Sequence, residues 1–574
     1  MLTDFSRLAD FAPHDVCIVG AGPVGLATAL ACEELGLRVL LLESGKASPD
    51  AHAAGLSAGH NVDLLRHAAP QVAIYRGLGG ASRWWGGRCV PYDDIDFAER
   101  SYARTAAWPI SHDEVRPFYE AAAEFFGVAP ARFAAPPVRT PALQDVQLDP
   151  LERWTPQIDM SVRHRVRLEA SSRVKVVFGA TVTDLKLDEG GRKVKALTVI
   201  GHGGATNLSS GAIVLACGGL ETPRLLLETQ RKHPAAFGGA DGSLGRGYMG
   251  HVSGKIADLV LADPRFVEDF DFFLDEGVYA RRRLQLTTEA QQREGLLNIA
   301  FWADNPPFHA AEHCNGVLSL VWAMLAVPCV GQLLASEGVR LAHVGPEPYA
   351  WRAHLRNVLR SPWATALGGL EIFRARFLSK PSKPGFLIHN QGGRYALHYH
   401  AEQEPNDLSR VILSDRLDAT GMPFLDVGLH FTKRDAASVV RSHELLDAAL
   451  RGCGVGRLEF HQSTRAERLE VVLAQATDGF HQTGATRMAR EPSQGVVDAD
   501  CKVHGIENLW IAGSSVLPTS GQANPTFIAV ALGIRLARTL KAKLGSAKGS
   551  NVGPITEINL PASKASAGGT IERS

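Results

Sequence analysis

The sequence predicts an α/β protein built around a Rossmann-like parallel sheet. Three segments carry this prediction: a strand, glycine turn, helix and strand over residues 15–43, a buried strand that enters a helix near Gly218, and a short buried strand followed by a polar loop that ends near Asn524. In such sheets strands alternate with helices, and the strand ends open into loops that contact ligands. At 574 residues the chain also has room for more than one domain.

Composition excludes several classes of protein. Hydrophobic residues are 45% and charged residues 21% of the chain, close to the globular averages of about 45–50% and about 25%, so a mainly disordered chain or a coiled coil is excluded. Sixty basic and sixty acidic residues give a formal net charge of zero, so we expect no nucleic-acid partner. The 57 glycines exceed the usual share of about 7% and indicate tight turns or close backbone approach to a ligand.

The chain ends and the cysteines bear on location and on metals. Asp4 and Asp10 lie in an N-terminal stretch with no basic start and no long apolar run, so we expect no secretory signal and a cytoplasmic protein. The eight cysteines are scattered, without a CxxC motif or a zinc-like His/Cys spacing, which predicts reduced thiols and no metal. Residues 544–574 lack periodicity and large apolar side chains, which predicts a disordered or loosely attached tail.

One nearly uncharged segment, residues 317–334, is about as long as a membrane span. Pro328, Gly331 and Gln332 interrupt it, and the basic stretch of residues 374–383 lies well downstream. We therefore favour a buried or cavity-lining helix. Contact with a membrane interface and a true span are the alternatives.

Residues 15–43 read as a complete βαβ unit. The apolar stretch 15–20 predicts a buried strand, the glycine motif GAGPVG (20–25) opens a segment with helical apolar spacing, and RVLLL (38–42) predicts a second strand that ends at Glu43. This is the GxGxxG fingerprint, followed by an acid 23 residues after the first glycine. It predicts a dinucleotide site.

Each residue of the fingerprint has a physical role. Gly20 permits the tight turn, Gly22 lets a pyrophosphate approach the backbone, and Gly25 allows close helix packing. The helix N-terminus stabilises the phosphate charge, and Glu43 can accept hydrogen bonds from a ribose diol. A second negative charge beside Glu43 would be unfavourable, which argues against a 2′-phosphate, but the spacing does not separate FAD from NAD.

A glycine-rich stretch follows at residues 77–89, GLGGASRWWGGRC. Its five glycines can bring backbone N–H groups against an extended ligand, and its two tryptophans offer flat surface beside a ring system. A surface loop with an exposed tryptophan pair is the alternative. Farther along, residues 174–182 and 212–218 predict strands, the second running into a Gly-Gly turn and a helix, which is typical of the later part of a nucleotide-binding sheet.

The C-terminal region combines polar side chains with predicted element ends. Residues 509–512 (LWIA) predict a short buried strand, residues 513–524 a polar loop, and Pro525 a helix start, where its missing N–H costs nothing. His481 and Asn524 are 43 residues apart, and both lie at loop or element ends. We expect them to converge on a pocket.

Taken together, the chain resembles the glucose–methanol–choline (GMC) oxidoreductase family. The matching stretches cover nearly the whole chain: GAGPVG with Glu43, GGASRWWGG, WPIS (108–111), LACGGLETPRLLL, LGRGYMGH (244–251) and the block from His481 to Leu540. The resemblance implies FAD as the cofactor and oxidation of an alcohol, with the hydride passing to flavin N5. The wording of HQTGATRM and SGQANPTF is most similar to the bacterial branch of sugar dehydrogenases and pyranose-oxidising enzymes.

The resemblance also implies the site residues. The active-site histidine of the family falls on His481 and its partner on Asn524, so His481 would remove the hydroxyl proton while Asn524 holds the substrate oxygen. Some members tether FAD through a histidine at the position occupied here by Trp84, so we predict non-covalent FAD. The predicted cofactor-binding residues are Gly20, Gly22, Gly25, Glu43, Gly79, Gly80, Ser82, Trp85, Gly86, Val182, Gly218, Gly513, Asn524, Pro525 and Thr526.

Two interleaved domains are implied: an FAD-binding domain (12–110, 160–257 and 478–543) and an α+β substrate-binding domain on an antiparallel sheet (111–159 and 258–477). Alternating apolar residues at 281–286, 296–302 and 393–403 predict the strands of the substrate wall. Its candidate residues are Trp302, His398, His400 and Gln403; ordinary buried sheet residues are the alternative for each.

The expected substrate is an alcohol, with a sugar, glycoside or polyol favoured. Oxidation of a non-sugar alcohol, a lyase of the same fold that retains FAD without redox turnover, and a non-catalytic flavoprotein are the alternatives. Oxygen, a quinone and another electron carrier are alternative acceptors for the electrons. The sequence does not choose among them, because no motif encodes the oxygen reactivity of the flavin.

Overall fold

The structure, a computed structural model, describes residues 2–10, 14–104, 107–335 and 337–546. The tail predicted from residue 544 lies outside the described residues except for 544–546, which end the last helix. All eight cysteines are free.

The strands of the described residues are, in chain order, β1 (Leu2–Asp4), β2 (Val16–Val19), β3 (Val39–Glu43), β4 (Asn61–Val62), β5 (Arg88–Cys89), β6 (Val146–Gln147), β7 (Leu151–Trp154), β8 (Val174–Phe178), β9 (Thr181–Leu187), β10 (Val194–Gly201), β11 (Gly204–Leu208), β12 (Ile213–Leu215), β13 (His251–Leu261), β14 (Phe273–Asp275), β15 (Val278–Arg282), β16 (Leu284–Leu286), β17 (Ile299–Asp304), β18 (Arg394–Glu402), β19 (Arg410–Leu417), β20 (Pro423–Gly428), β21 (Gly456–Phe460) and β22 (Leu509–Ile511).

The α-helices of the described residues are α1 (Pro23–Glu34), α2 (Ala51–Ala58), α3 (Pro70–Ala73), α4 (Asp94–Phe97), α5 (His112–Val115), α6 (Tyr119–Phe126), α7 (Met160–Ala170), α8 (Gly218–Lys232), α9 (Thr288–Glu294), α10 (Gly316–Ala326), α11 (Pro328–Leu334), α12 (Glu337–Val344), α13 (Trp351–Arg360), α14 (Pro362–Phe373), α15 (Lys433–Gly452), α16 (Arg465–Gln475) and α17 (Thr526–Ser546).

A six-stranded, all-parallel sheet in the order β1-β8-β3-β2-β12-β22 confirms the Rossmann-like prediction. Its central strands β2, β3 and β12 are buried along their whole length, as expected for a parallel sheet covered on both faces. The predicted strands at 15–20, 38–42 and 509–512 differ from β2, β3 and β22 by at most one residue at each end.

A second six-stranded sheet, in the order β21-β13-β18-β17-β16-β6, is antiparallel and forms the core of the predicted substrate-binding part. Strands β17 and β18 pair in register from Ile299 opposite Ala401 to Asp304 opposite Ala396. The alternation at 296–302 and 393–403 therefore marks neighbouring strands. Three smaller sheets are β11-β10-β9, β14-β15-β7-β5 and β19-β20-β4.

The two large sheets draw their strands from interleaved parts of the chain. The domain boundaries themselves stay a prediction: β1 precedes the first boundary yet pairs with β8, and β13 spans the boundary between residues 257 and 258.

The apolar segment 317–334 forms α10 and α11 within a helical insertion between β17 and β18. One side of α10 is buried through Leu318, Trp322 and Leu325, whereas Leu333 of α11 is 84% exposed. No single helix of the described residues is long and apolar enough to cross a bilayer. Helices α10 and α11 together meet the criteria of length and composition, but they are bent by 107° relative to each other. The cytoplasmic location stays a prediction.

Candidate active site

A cavity of about 1490 Å³ lies where the carboxyl ends of the parallel strands face the antiparallel sheet. The loops that follow β2, β3, β12 and β22 all contribute to its lining, together with strands β17 and β18. Ligands of open α/β sheets bind at this end of the strands. The cavity is therefore the candidate active site.

The glycine turn after β2 forms one end of the cavity. Gly20 has φ +103°, and a Cβ there would lie 2.5 Å from the carbonyl oxygen of Ala216, so both the conformation and the space require glycine. A Cβ on Gly25 would lie 2.0 Å from the Gly20 carbonyl oxygen, which explains how closely α1 packs on the turn. Gly22 lines the cavity, and a Cβ at this position would have the Gly80 Cα, 3.9 Å away, as its nearest neighbour.

Glu43 ends β3 beside this turn and is 5% exposed. Its carboxylate accepts hydrogen bonds from the backbone N–H of Ala21 at 2.8 Å and of Gly45 at 2.9 Å. Glu43 also lines the cavity. The carboxylate is thus fixed in place by the backbone, and it retains acceptor capacity for a ligand hydroxyl.

The glycine-rich loop 77–89 contributes to the lining of the cavity. Gly79 and Gly80 have φ of +88° and +51°, and the Ser82 hydroxyl donates to the Gly79 carbonyl at 2.6 Å. The Trp85 indole N–H donates to the Ile158 carbonyl at 2.7 Å, which fixes the ring. Trp84 packs edge-on against Tyr75 instead, with ring centroids 4.9 Å apart.

Thirteen of the fifteen predicted cofactor-binding residues line this one cavity; Gly25 and Gly79 do not. These two act on the shape of the backbone, Gly25 by close helix packing and Gly79 through its left-handed conformation. At Gly86, Gly218 and Gly513 a Cβ would meet nothing within 4 Å, so these positions leave open space for a ligand.

His481 and Asn524 meet at the other end of the cavity. The Asn524 side-chain amide donates to His481 Nε2 at 2.6 Å, while His481 Nδ1 donates to the Asp478 carboxylate at 3.0 Å. This arrangement assigns the proton of the ring to Nδ1 and leaves the Nε2 lone pair directed at Asn524. The Asn524 side-chain oxygen is buried and has no hydrogen-bond partner among the described residues.

Asp478 was missed in the sequence, although it lies three residues before His481. Its Oδ2 also accepts from the backbone N–H of His251 at 2.7 Å and lies 3.3 Å from His251 Nδ1. Burial would raise the pKa of Asp478, but the charge of His481 and the hydrogen bonds from His251 and His481 outweigh it and hold the pKa well below its ordinary value. Asp478 is therefore a carboxylate that orients two imidazoles.

Two further histidines complete a cluster around His481. His251 stacks on His400 with ring centroids 4.1 Å apart and lies edge-on to His481 at 4.7 Å. Sequence patterns assigned no role to His251, which is the last residue of the LGRGYMGH motif. Burial lowers the pKa of both His251 and His400, and the charge of His481 lowers each further. Both are therefore neutral near pH 7.

The ligating nitrogens of these three histidines lie within 4.8 Å of one another, close enough for a metal ion to bridge. Most are already engaged within the chain: His251 Nε2 lies 3.2 Å from the Ser520 carbonyl, and His400 Nδ1 donates to the Gln522 carbonyl at 2.7 Å. The expectation of no metal stays a prediction.

The predicted wall residues divide into two groups. Trp302, His398 and His400 line the cavity, and Trp302 stacks on His398 with centroids 4.5 Å apart and planes 12° from parallel. Gln403 instead supports the fold, because it accepts from the Gly250 N–H and donates to the His430 carbonyl.

Beyond Trp302, three guanidinium groups surround one carboxylate. Arg88, Arg281 and Arg283 lie 4.7, 5.0 and 5.4 Å from the centre of the Trp302 ring. Each also approaches Glu152, which is fully buried. Burial would raise the pKa of Glu152, but the three positive charges outweigh it and lower the pKa.

Comparison with known families gives two matches. Residues 15–307, just over half of the chain, match the family model described as FAD dependent oxidoreductase. Residues 405–533 match the one described as GMC oxidoreductase, which covers the segment containing His481 and Asn524.

Individual relatives are more distant. The 2-methyl-1,2-propanediol dehydrogenase of Mycolicibacterium austroafricanum is 21% identical over 596 aligned positions, covering 91% of this chain and 94% of that protein. The C-glycoside 3-oxidase of Arthrobacter globiformis is 35% identical over 136 positions, 23% of each chain. Among solved structures, a fungal aryl-alcohol oxidase matches with a TM-score of 0.50 and 14% identity, covering 92% of this chain and 99% of that one; this likeness concerns the fold alone.

Proposed function

Because the chain belongs to the GMC family of FAD-dependent oxidoreductases, we propose that it oxidises an alcohol group of a sugar, glycoside or polyol. The observation that carries the proposal is the hydrogen-bonded pair of His481 and Asn524, which lines the same cavity as the glycine turn.

The cavity fits FAD. Glycines without neighbours for a Cβ, at Gly86, Gly218 and Gly513, leave room for an extended ligand along the strand ends. The N-terminus of α1 faces the same space and favours phosphate there, and Glu43 is positioned to accept from a ribose hydroxyl. When bound, FAD supplies the redox chemistry by taking the hydride from the alcohol carbon.

The chain supplies the base. With its proton on Nδ1 held by Asp478, His481 can take the proton of a substrate hydroxyl at Nε2 once that hydroxyl replaces the Asn524 N–H, which donates to Nε2 in this structure. Asn524 can donate its N–H to the substrate oxygen as negative charge develops there. A positively charged His481 would then be stabilised by the Asp478 carboxylate 3.0 Å away.

A small non-sugar alcohol is the second candidate, because the relative that aligns over 91% of the chain is named for a diol. The C-glycoside 3-oxidase, which aligns over 23% of the chain, favours a sugar. We propose the sugar or polyol first, because the C-glycoside 3-oxidase is 35% identical over its aligned positions, whereas the diol dehydrogenase is 21% identical.

Anaerobic titration tests the proposal. Sugars, glycosides, polyols and small diols are added under argon to the holoprotein, and bleaching of the flavin absorbance by one of these classes is the expected result. If dithionite bleaches the flavin and no alcohol does, the oxidative function is wrong and a non-redox role of the same fold is favoured.

The electron acceptor is tested on the reduced protein. Admission of air with release of about one hydrogen peroxide per flavin identifies an oxidase, because two-electron reduction of oxygen gives peroxide. Slow reoxidation by air but rapid reoxidation by a soluble quinone identifies a dehydrogenase.

A further inference from the structure

The helical insertion carries an unusual number of exposed apolar side chains. We define the apolar face as the exposed large side chains of α11 to α14 and the turn that follows: Leu333, Leu341, Trp351, Leu355, Leu359, Trp363, Leu367, Leu370, Phe373, Phe377 and Leu378. Leu333 and Trp363 are 84% and 83% exposed. Apolar residues scattered singly over a surface are ordinary, but a cluster of this size marks an interaction site.

Helix α13 has its polar side inside. His354 and Asn357 are buried and hydrogen-bond the Ser319 hydroxyl of α10 at 3.0 and 3.1 Å. Leu355 and Leu359 lie on the other side of the same helix and are exposed, whereas Trp351 is 44% exposed and also packs on Trp322 of α10, with ring centroids 4.7 Å apart. This pattern is the reverse of a helix on a water-soluble surface, where the apolar stripe faces the core.

Helix α14 repeats the pattern. Trp363, Leu367 and Leu370 follow one another at spacings of four and three residues, which puts them on one side of the helix. The inner side is built from Gly368 and Gly369, where a Cβ would come within 2.8 Å of Val317 and 2.9 Å of Leu320 in α10. Both α13 and α14 therefore pack on α10 and turn their apolar stripes away from it.

The same segment is strongly basic. Residues 351–383 contain seven basic residues, Arg352, Arg356, Arg360, Arg374, Arg376, Lys380 and Lys383, and one acid, Glu371, a formal charge of +6. The whole chain has a formal charge of zero, so the remainder carries −6. Lys383 pairs with Asp271 at 3.4 Å. Charge and apolar surface are thus concentrated in one part of the molecule.

We propose that the apolar face docks the protein on an anionic lipid bilayer, lying in the interface without spanning it. Exposed Leu, Phe and Trp side chains would enter the boundary between headgroups and acyl chains, and the interspersed arginines would contact lipid phosphates. A second copy of this chain is a poorer occupant, because a symmetric contact would bring two +6 segments together. The proposal goes beyond the proposed oxidation and does not depend on it.

The apolar face reaches the lining of the active-site cavity. Leu341 belongs to the face and also lines the cavity, as do its neighbours Glu337 and His343 in α12. Docking would therefore place this part of the cavity lining beside the lipid.

Vesicle binding of the full-length holoprotein tests the proposal. We expect co-sedimentation with vesicles of phosphatidylcholine and about one-third phosphatidylglycerol, at least about tenfold stronger than with phosphatidylcholine alone. Raising the salt concentration should weaken the difference, because it screens the charges. Failure to sediment with either vesicle at saturating lipid overturns the proposal.

A paired substitution tests the apolar contribution. Trp363→Ser with Leu367→Ser should lower the partition coefficient at least about tenfold, since two large side chains no longer enter the interface. Val166→Ser with Leu417→Ser is the matched control, because both residues are exposed, at 79% and 59%, and lie outside the insertion. Equal loss in both pairs, or no loss in the first, contradicts the assignment of the face.

Reversing the charge of two exposed arginines tests the electrostatic contribution to binding. A control pair with the same charge change distinguishes this contribution from a folding defect. Arg352→Glu with Arg356→Glu should reduce binding to the anionic vesicles about tenfold or more and leave binding to phosphatidylcholine unchanged. Lys186→Glu with Lys541→Glu, exposed elsewhere, is the control of equal charge change. Flavin absorbance and alcohol-dependent bleaching should stay as in the unmodified protein in every variant. If light scattering instead shows a dimer that Trp363→Ser with Leu367→Ser dissociates, the face is a subunit contact and the lipid proposal is wrong.

Discussion

His481 is held from both sides of its ring, and this defines its chemistry at the scale of single residues. Asp478 accepts the Nδ1 proton, and Asn524 donates to Nε2. A histidine whose tautomer is fixed in this way offers one lone pair in one direction. The ring of the proposed base is therefore held in one orientation, and a substrate hydroxyl has to replace the Asn524 N–H to reach Nε2.

His481→Ala should lower the rate of flavin reduction by alcohol about 10²–10⁴-fold while FAD stays bound, because a positioned general base contributes about that factor. Stopped-flow reduction under argon measures it. His202→Ala, at an exposed turn, is the control and should reduce at the ordinary rate. Asn524→Ala should have a smaller effect than His481→Ala. Unchanged reduction in His481→Ala would show that another group takes the proton.

The burial of Glu152 leads to a prediction about the stability of the fold. Its carboxylate is fully buried among Arg88, Arg281 and Arg283, of which Arg281 and Arg283 are buried and Arg88 is partly exposed, so Glu152→Gln would leave three positive charges without their counter-ion. We expect the free energy of unfolding to fall by about 3–5 kcal/mol. Urea unfolding measures it, with exposed Glu189→Gln as control. A loss below about 1 kcal/mol would mean that solvent or a ligand compensates the arginines.

At the scale of elements, the turn between β2 and α1 separates fold from cofactor. Gly20 and Gly25 are required by the backbone, since a Cβ on either would meet a carbonyl oxygen within 2.5 Å. Gly22 is different, because its φ of −71° suits any residue and the nearest neighbour of a Cβ there is 3.9 Å away. Only the proposed cofactor needs glycine at that position.

Gly22→Ala should therefore leave the fold intact and weaken FAD binding at least about tenfold, which corresponds to about 1.4 kcal/mol. Flavin content after dialysis and titration of the apoprotein measure it. Gly55→Ala in α2, where a Cβ meets nothing within 4 Å, is the control. Full retention of FAD by Gly22→Ala would place the pyrophosphate elsewhere.

Helix α15 carries a buried histidine that makes stability depend on pH. His443 is fully buried, its Nδ1 donates to the Val439 carbonyl, and its Nε2 has no partner among the described residues. Burial lowers its pKa to about 4, and the hydrogen bond to Val439 offsets this in part. The unfolded chain, with an ordinary pKa near 6.5, binds the proton more readily, so the folded state loses stability as the pH falls below about 6.5.

His443→Leu should remove this part of the pH dependence. Between pH 7 and pH 5 its free energy of unfolding should fall by about 1–2 kcal/mol less than that of the unmodified protein. Urea unfolding at the two pH values measures the difference, with exposed His202→Leu as control. Identical pH dependence in His443→Leu and the unmodified protein would contradict the assignment.

At the scale of the whole molecule, one cavity connects two sheets that come from interleaved parts of the chain. Cofactor and substrate regions therefore share walls, and the cofactor should contribute to overall stability by binding the folded state alone. The manner of its attachment is testable on the intact protein.

Non-covalent FAD predicts that acid precipitation releases all of the flavin. Trp84 occupies the position of the tethering histidine and packs against Tyr75, so no covalent bond is expected there. The supernatant should carry the yellow colour and the pellet should be white. Colour retained by the washed pellet would show a covalent link through another residue.

Local sequence determined the parallel sheet and its glycine turn. A strand buried on both sides is a continuous apolar run and a tight turn needs glycine, so both are visible within a few neighbouring residues. The positions of β2, β3 and β22 followed from such runs, and the pairing of His481 with Asn524 came from the resemblance to the family.

Tertiary structure decided the rest, because contacts between distant residues leave no period in the sequence. Asp478 accepts a hydrogen bond from His251, which lies 227 positions away in the sequence. No sequence pattern near either residue predicts this contact. The neutral overall charge of the chain likewise gave no sign of the +6 segment. The helices of this segment expose their apolar sides, which local sequence does not predict, because the buried side of a helix depends on what packs against it. The sequence by itself determined which elements form and which cofactor they suit; only the packing of those elements decided which side chains orient the base and which surface stays apolar.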